Sequence, residues 1–392
     1  MIVAMVSKLF PLSHYTIYLG QGFEALSRKV IIVFYRSKEE NATVPLHRVR
    51  NVWSQSLTYP FEVFRQSIKD RPDIVHIQHE FNMFGDSLTA VVFPILLVLL
   101  KIARRKTVVT IHQVVPMQQI DRAFAKSFSF PQLFWPLLKI ALLTVYLSIT
   151  ALASMIIVHS DYNRRFMISD YKAQPSHVSV VPIGVPALEE EPASNKWTNV
   201  LQGRKVILFF GYLNERKGIE YLFEAFAQIV PQHPEWVLVI AGGILPYSSP
   251  YIARLVKMIS DLKIEDHVVF LTTTPFPIPE IHELYSLSEF VVLPYTYSFA
   301  ASLALSFAME HSKPTIVTNI GVFREDVQHG HEGLHCPPRE SQRLKEAMIS
   351  LINDEGMRRK FSENVRLKAK SRAWSSIADQ TYQAYLESLE CE

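Results

Sequence analysis

Short, continuous apolar runs alternate along this chain with longer stretches of helical period. In the first half the runs are Ile2–Val6, Val30–Phe34, Ile74–Gln78, Val108–His112, Met155–His159 and Val178–Pro182. In the second half they are Val206–Phe210, Trp236–Ile240, Val268–Leu271, Phe290–Pro294 and Thr315–Thr318. Runs of this kind, rich in β-branched residues, predict strands buried on both faces. Helical stretches between them, such as Gly20–Arg28, Ile219–Ile229 and Ser249–Leu262, predict crossover connections and hence parallel sheets. Pro186–Asn199 has no apolar period and reads as a linker. The pattern predicts two doubly wound α/β domains in series, residues 1–185 and 186–374. Ligands in such folds sit beyond the carboxyl ends of the strands, so the expected site is the cleft between the domains.

Two apolar stretches raise the question of a membrane. Ala90–Leu100 contains Pro94 and is too short to span. Ile140–Val158 has no charge and is long enough, but it ends in an expected strand and is diluted by Thr144, Ser148, Thr150 and Ser154. Lys101, Arg104, Arg105 and Lys106 follow the first stretch. Arg122, Lys126 and Lys139 alternate with Phe124, Phe128, Phe130, Phe134 and Trp135 before the second. Basic residues and aromatics beside apolar helices predict peripheral contact with an anionic bilayer, in preference to a span or a partner groove.

Composition narrows the classes. With 392 residues, 48% hydrophobic and 20% charged, the chain can bury a core and is not disordered. Its two cysteines, Cys336 and Cys391, exclude a disulfide framework and a multi-cysteine zinc site, and fit a reducing compartment. Residues 1–185 hold 20 Lys and Arg against 11 Asp and Glu; the remainder holds 20 against 26. The first domain should therefore favour an anionic partner. No helix-turn-helix, zinc-finger or RNP pattern accompanies that charge, so nucleic acid is not expected. Glycine is scarce at 13 residues, and only Gly20, Gly22 and Gly85 precede Gly184. The first domain thus has no Gly-rich phosphate loop.

Two segments carry candidate chemistry. In Phe209–Glu220 a buried strand ends at Gly211, and Arg216 and Lys217 precede a helix. A helix N-terminus offers free N–H groups and a positive dipole end, which a neighbouring lysine turns into an anion site. In Phe290–Ala304 a second strand feeds a helix through small and hydroxyl residues, which let a diphosphate approach the backbone. No Asp-x-Asp, Gly-x-Ser-x-Gly, Walker lysine loop or His-Glu-x-x-His occurs.

In order and spacing these segments resemble the family-4 glycosyltransferases, which have the GT-B fold, use nucleotide-diphosphate sugars and retain anomeric configuration. The residues that carry the resemblance are Pro72–Glu80, Val109–His112, Ile157–Ser160, Val181–Val185, Phe210–Gly218, Val291–Tyr295 and Lys313–Thr318. Ala373–Ala378 looks like the family's closing helix. The resemblance implies two Rossmann-like domains facing across a cleft, with residues 375–392 returning to the first. It places Lys217 on the donor diphosphate, with Arg216 substituting for a family arginine whose position Tyr212 holds. Gly211, Ser298, Phe299, Ala301 and Ser302 fall in the donor site, and base and sugar contacts fall near Leu271–Pro277. His112 matches a histidine near the donor sugar and acceptor and is the catalytic candidate. His79 and Glu80 are candidates on the acceptor side. The family's two donor-loop glutamates align with Phe299 and Phe307, and Glu310 lies three positions beyond the second.

The resulting expectation is a retaining hexosyltransferase that needs neither metal nor cofactor. It would act on a lipid-linked or polysaccharide acceptor, in the cytoplasm, peripherally on the inner face of the membrane. Two alternatives stand beside it: a sugar-nucleotide epimerase, and a catalytically degenerate scaffold subunit.

Overall fold

Thirteen strands form among the described residues, and every pairing within the two sheets is parallel. The computed structural model describes all residues except 10–13, 27–29, 41–43, 82, 128–129, 187–195, 202, 245–247, 274–275 and 391–392. Most of the expected linker, Arg28, Phe128, the middle of the 271–277 segment and Cys391 lie outside the described residues.

The first sheet contains β1 (Ile2–Val6), β2 (Ile31–Ser37), β3 (Val49–Trp53), β4 (Ile74–His79), β5 (Lys106–Ile111), β6 (Met155–Val158) and β7 (Val178–Val180), in the order β3-β2-β1-β4-β5-β6-β7. The second contains β8 (Lys205–Phe210), β9 (Trp236–Gly242), β10 (Val268–Thr272), β11 (Ser288–Leu293), β12 (Thr315–Thr318) and β13 (Gly333–Cys336), in the order β10-β9-β8-β11-β12-β13. The direction of winding reverses between β1 and β4 in one sheet and between β8 and β11 in the other. A doubly wound sheet opens its ligand crevice at such points.

All eleven apolar runs form strands. β3 and β13 are additions that the pattern did not show. Each is an edge strand with a single neighbour, partly exposed along its length. An edge strand does not need an apolar residue at every position, so Val49-Arg50-Asn51-Val52-Trp53 carries no continuous apolar signal.

Contacts divide the chain into two units. One comprises Met1–Gly184, Phe299–Ala301 and the stretch from Arg372 on; the other comprises Val185–Ser298 and Ser302–Ser371. In the first, the C-terminal helix Trp374–Glu390 packs Trp374, Ile377, Ala378 and Tyr385 into the same core as Val3, Met5, Leu19 and Phe23. Two glycines admit it. A Cβ on Gly22 would lie 2.3 Å from the Trp374 carbonyl oxygen, and one on Gly184 would lie 2.4 Å from the Trp374 ring.

Candidate functional site

In the second unit, the anion cradle is built by the ends of β8, β9 and β11. Gly211 follows β8 with φ +145°, and Gly242 closes β9 with φ +155°. A Cβ on Gly242 would stand 1.9 Å from the Gly211 carbonyl oxygen, so only glycine lets the two strand ends run this close. The chain then makes a short helical turn, Glu215–Lys217, closed by Gly218 at φ +64°. The helix Ile219–Ala227 starts there. Thr296, just beyond β11, holds this turn by donating its N–H (2.8 Å) and its hydroxyl (3.2 Å) to the Arg216 carbonyl.

The turn buries Lys217 and directs its ammonium inward, 3.6 Å from the centroid of the Tyr295 ring. Tyr295 is buried, and its backbone carbonyl accepts from the Thr318 hydroxyl at 2.6 Å. Its own hydroxyl lies 3.5 Å from Ser302 Oγ. Ser302 caps the helix Leu303–Glu310 by accepting from the Leu305 N–H. On the other side, the space a Gly211 Cβ would fill lies 3.7 Å from Lys217 Nζ and 3.6 Å from the Tyr295 hydroxyl. Gly211, Lys217, Tyr295 and Ser302 therefore converge at the switch point of the second sheet.

The electrostatics suit an anion. Burial, and then the neighbouring Arg216 charge, hold the Lys217 amine well below the usual lysine range. Among the described residues no carboxylate pairs with it. An ammonium buried without a counter-ion is costly, and a bound anion would supply the missing charge. Lys217 would thus be less protonated in the free protein than beside a bound anion, so anion binding should take up a proton. Between the folded and unfolded pKa values the unfolded chain holds more protons, and stability rises with pH. Nucleoside diphosphate affinity should fall as pH rises through the same range. Calorimetric titrations in buffers of different ionisation enthalpy check this, and the absence of proton uptake at every pH tested would refute it.

Not every expected donor residue joins this cluster. Ser298 is buried in the second unit, whereas Phe299–Ala301 group with the first. There Ala300 forms an isolated bridge with Gln113, and the Phe299 carbonyl accepts from the Val114 N–H. Phe299 and Phe307, at the family's glutamate positions, are both buried. Phe307 packs in a ring cluster with Phe210, Tyr285 and His282, where a carboxylate would be desolvated. Gly242, like Gly211 and Gly218, stands beside the strands where the sequence places a donor site, whereas Tyr295 carries no role in the sequence reading. The Leu293-Pro294-Tyr295 strand end was the available signal.

In the first unit, His112 follows β5 and sits in a buried chain of side chains. Its Nδ1 lies 3.0 Å from His159 Nε2, and its Nε2 lies 3.0 Å from Gln78 Oε1. Gln78 also contacts His76 Nε2, and His76 Nδ1 meets the Tyr385 hydroxyl at 2.7 Å. The far end fixes the protons. His159 Nδ1 faces the Val181 carbonyl at 2.9 Å, which can only accept. A neutral His159 therefore accepts at Nε2, His112 donates from Nδ1, and His112 Nε2 keeps a lone pair. In the structure Gln78 Oε1 faces that nitrogen and Gln78 Nε2 faces His76; turning the amide over presents its N–H₂ to the lone pair and its oxygen to His76 Nε2, which also meets the Thr110 hydroxyl at 2.7 Å. Burial and the surrounding histidines hold His112 well below the usual histidine range, so it is neutral at physiological pH. His112 is thereby a positioned neutral imidazole.

The acceptor-side candidates are placed differently. His79 ends β4 and is buried against Phe93, with ring centroids 4.6 Å apart, and burial lowers its pKa to about 4. Glu80 is half-buried and accepts from the Gln113 side chain at 3.0 Å. Gln78 and His159, the partners of His112, were quoted in the sequence motifs but carried no role there.

Comparison with known proteins places the chain in a family and identifies its fold. Residues 12–187 match the profile of glycosyltransferase family 4, and residues 192–368 match that of glycosyl transferases group 1. A D-inositol 3-phosphate glycosyltransferase from Corynebacterium jeikeium is 27% identical over 244 residues, 60% of this chain and 58% of that one. An alpha-D-kanosaminyltransferase from Streptomyces kanamyceticus is 29% identical over 189 residues, 48% of this chain and 47% of that one. The chain thus spans between about half and three-fifths of the length of these relatives. Among solved structures, Anabaena HepE in complex with UDP-glucose superposes with a TM-score of 0.75 at 18% identity, covering 98% of this chain and 99% of that one. The sucrose-phosphate synthase of Thermosynechococcus elongatus gives 0.74 at 17% identity, with both chains fully covered at 100%. These likenesses carry the fold, which is GT-B. With two consecutive profiles matched along its length, the chain belongs to the group 1, family 4 glycosyltransferases.

Proposed function

We propose that the chain is a retaining, metal-independent glycosyltransferase that moves a sugar from a nucleotide-diphosphate donor to a membrane-associated or polysaccharide acceptor. The observation that carries this reading is the buried Lys217 at the β8–β11 switch point, with a glycine cradle beside it and Tyr295 beneath it. In group transfer from such a donor, charge grows on the leaving diphosphate. Lys217, Arg216 and the amides at the N-termini of the Ile219–Ala227 and Leu303–Glu310 helices meet that charge from fixed positions, without a metal ion. The first unit supplies the acceptor side, with the neutral His112 held in one tautomer. UDP-glucose in the HepE complex supports a nucleotide sugar as the ligand class. The test is release of nucleoside diphosphate from a panel of nucleotide sugars in the presence of membrane extract.

A membrane acceptor is supported by the surface of the first unit. Among the described residues one helix, Gln132–Leu152, is long and apolar enough to cross a membrane, and only 22% of its most apolar window is buried. Its inner face is committed to the protein: Leu142, Val145, Tyr146 and Ile149 are buried, and the Tyr146 hydroxyl donates to the Gln113 carbonyl. Its outer face leaves Leu133, Leu137, Ile140 and Leu147 exposed, and the Phe93–Ile102 helix that packs beside it exposes Ile95, Val98 and Ile102. With Lys101, Arg104, Lys126 and Lys139 nearby in sequence, the surface suits a helix lying in an anionic interface, on the cytoplasmic face of a membrane. Co-sedimentation should show binding to anionic vesicles and little to zwitterionic ones. Leu137→Glu with Ile140→Glu should weaken it at least about tenfold. Equal binding by the variant would refute the surface.

A second reading, a catalytically degenerate binding subunit, is favoured by the burial of Phe299 and Phe307 at the two glutamate positions. It predicts donor binding without turnover.

A further inference from the structure

We propose that His282, Glu310 and His311 form a binding site for one borderline divalent metal ion of the zinc or cobalt type. His282 lies on the helix Ile278–Leu287, and Glu310 and His311 lie at the end of the helix Leu303–Glu310. His282 Nδ1 stands 3.0 Å from His311 Nε2 and 3.7 Å from Glu310 Oε1. One ligand atom from each residue falls within 4.8 Å of the other two. Tetrahedral bonds of about 2.0–2.1 Å set ligands roughly 3.3 Å apart, which these separations bracket.

The donor set is chemically apt. Two imidazoles and one carboxylate suit zinc or cobalt and leave a position for water, whereas magnesium prefers an all-oxygen shell. The outer shell is present too: His311 Nδ1 lies 3.1 Å from the Ser286 hydroxyl, which fixes the ring with Nε2 turned to the ion. The carboxylate sits at a helix C-terminus, where the dipole favours a cation. The nearby Lys313 is turned aside, its ammonium donating to the Ser286 carbonyl at 2.9 Å.

A metal here would tie the Ile278–Leu287 helix to the end of the helix whose other end is capped by Ser302. It uses none of the residues of the Lys217 cradle and is independent of the donor reading. The test is a titration of the full-length, chelator-treated protein with zinc and with cobalt, followed by calorimetry and by cobalt visible absorption. One ion per chain should bind, with cobalt bands of a four-coordinate site and with no competition from magnesium. Glu310→Gln and His311→Gln, which keep size and polarity, should each weaken binding at least tenfold, and Ser286→Ala about tenfold. Absence of binding by the unaltered protein, or binding unchanged in both ligand variants, would overturn the proposal.

Discussion

Lys217→Met should move binding and stability in opposite directions. The methionine keeps most of the buried stem and removes the ammonium. Loss of a charge-assisted contact to a diphosphate costs about 1.5–3 kcal/mol, so nucleoside diphosphate affinity should drop roughly tenfold to a hundredfold. The free protein should gain, because the variant no longer buries a cation whose partner among the described residues is the Tyr295 ring. Relief of a functional strain of this kind is commonly worth roughly 0.5–2 kcal/mol, a rise of a few degrees in melting temperature. Calorimetry and a thermal melt on the same sample read both. If the variant binds as tightly as the parent, or if it is strongly destabilised, Lys217 is a packing residue and not the anchor of an anion site.

Gly242→Ala should be the most damaging small substitution in the second unit. The new Cβ would sit 1.9 Å from the Gly211 carbonyl oxygen, against backbone that two strands hold in place. Its φ of +155° is also one that L side chains rarely adopt. Separation of the strand ends should cost at least about 3 kcal/mol and spoil the Gly211 cradle. Gly330→Ala supplies the control. Its φ is +75°, but nothing lies within 4 Å of the added carbon, so it should show only the conformational cost of about 1–2 kcal/mol. Urea unfolding of the two variants separates the terms. Equal losses would mean that the collision at Gly242 is relieved by an easy backbone shift.

How much of this was legible in the sequence follows from what each residue does. Buried parallel strands need apolar side chains on both faces, so runs such as Ile74–Gln78 and Trp236–Ile240 announce themselves. The edge strands Val49–Trp53 and Gly333–Cys336 do not, because half of their positions can be polar. The Arg216-Lys217 pair between a strand and a helix is legible as a local pattern, but only the family resemblance gives Lys217 a diphosphate to bind. Tyr295 was not legible, because an aromatic residue after an apolar run reads as core until its ring is seen against the ammonium. The His112 chain was legible only at one link. His76, Gln78, His159 and Tyr385 are scattered over 309 residues and meet only once the sheet and the C-terminal helix are assembled. The His282–Glu310–His311 cluster is hidden for the same reason: 29 residues separate its two histidines, and no metal-ligand spacing marks it.

The central claim is that the cradle at Lys217 binds a nucleotide sugar and releases its diphosphate by transfer. The most direct measurement follows nucleoside diphosphate release from a panel of nucleotide sugars, with and without membrane extract, for the parent protein and Lys217→Met. Release from at least one donor, dependent on the extract and lost in the variant, is the predicted result. Binding and release absent with every donor would contradict the account.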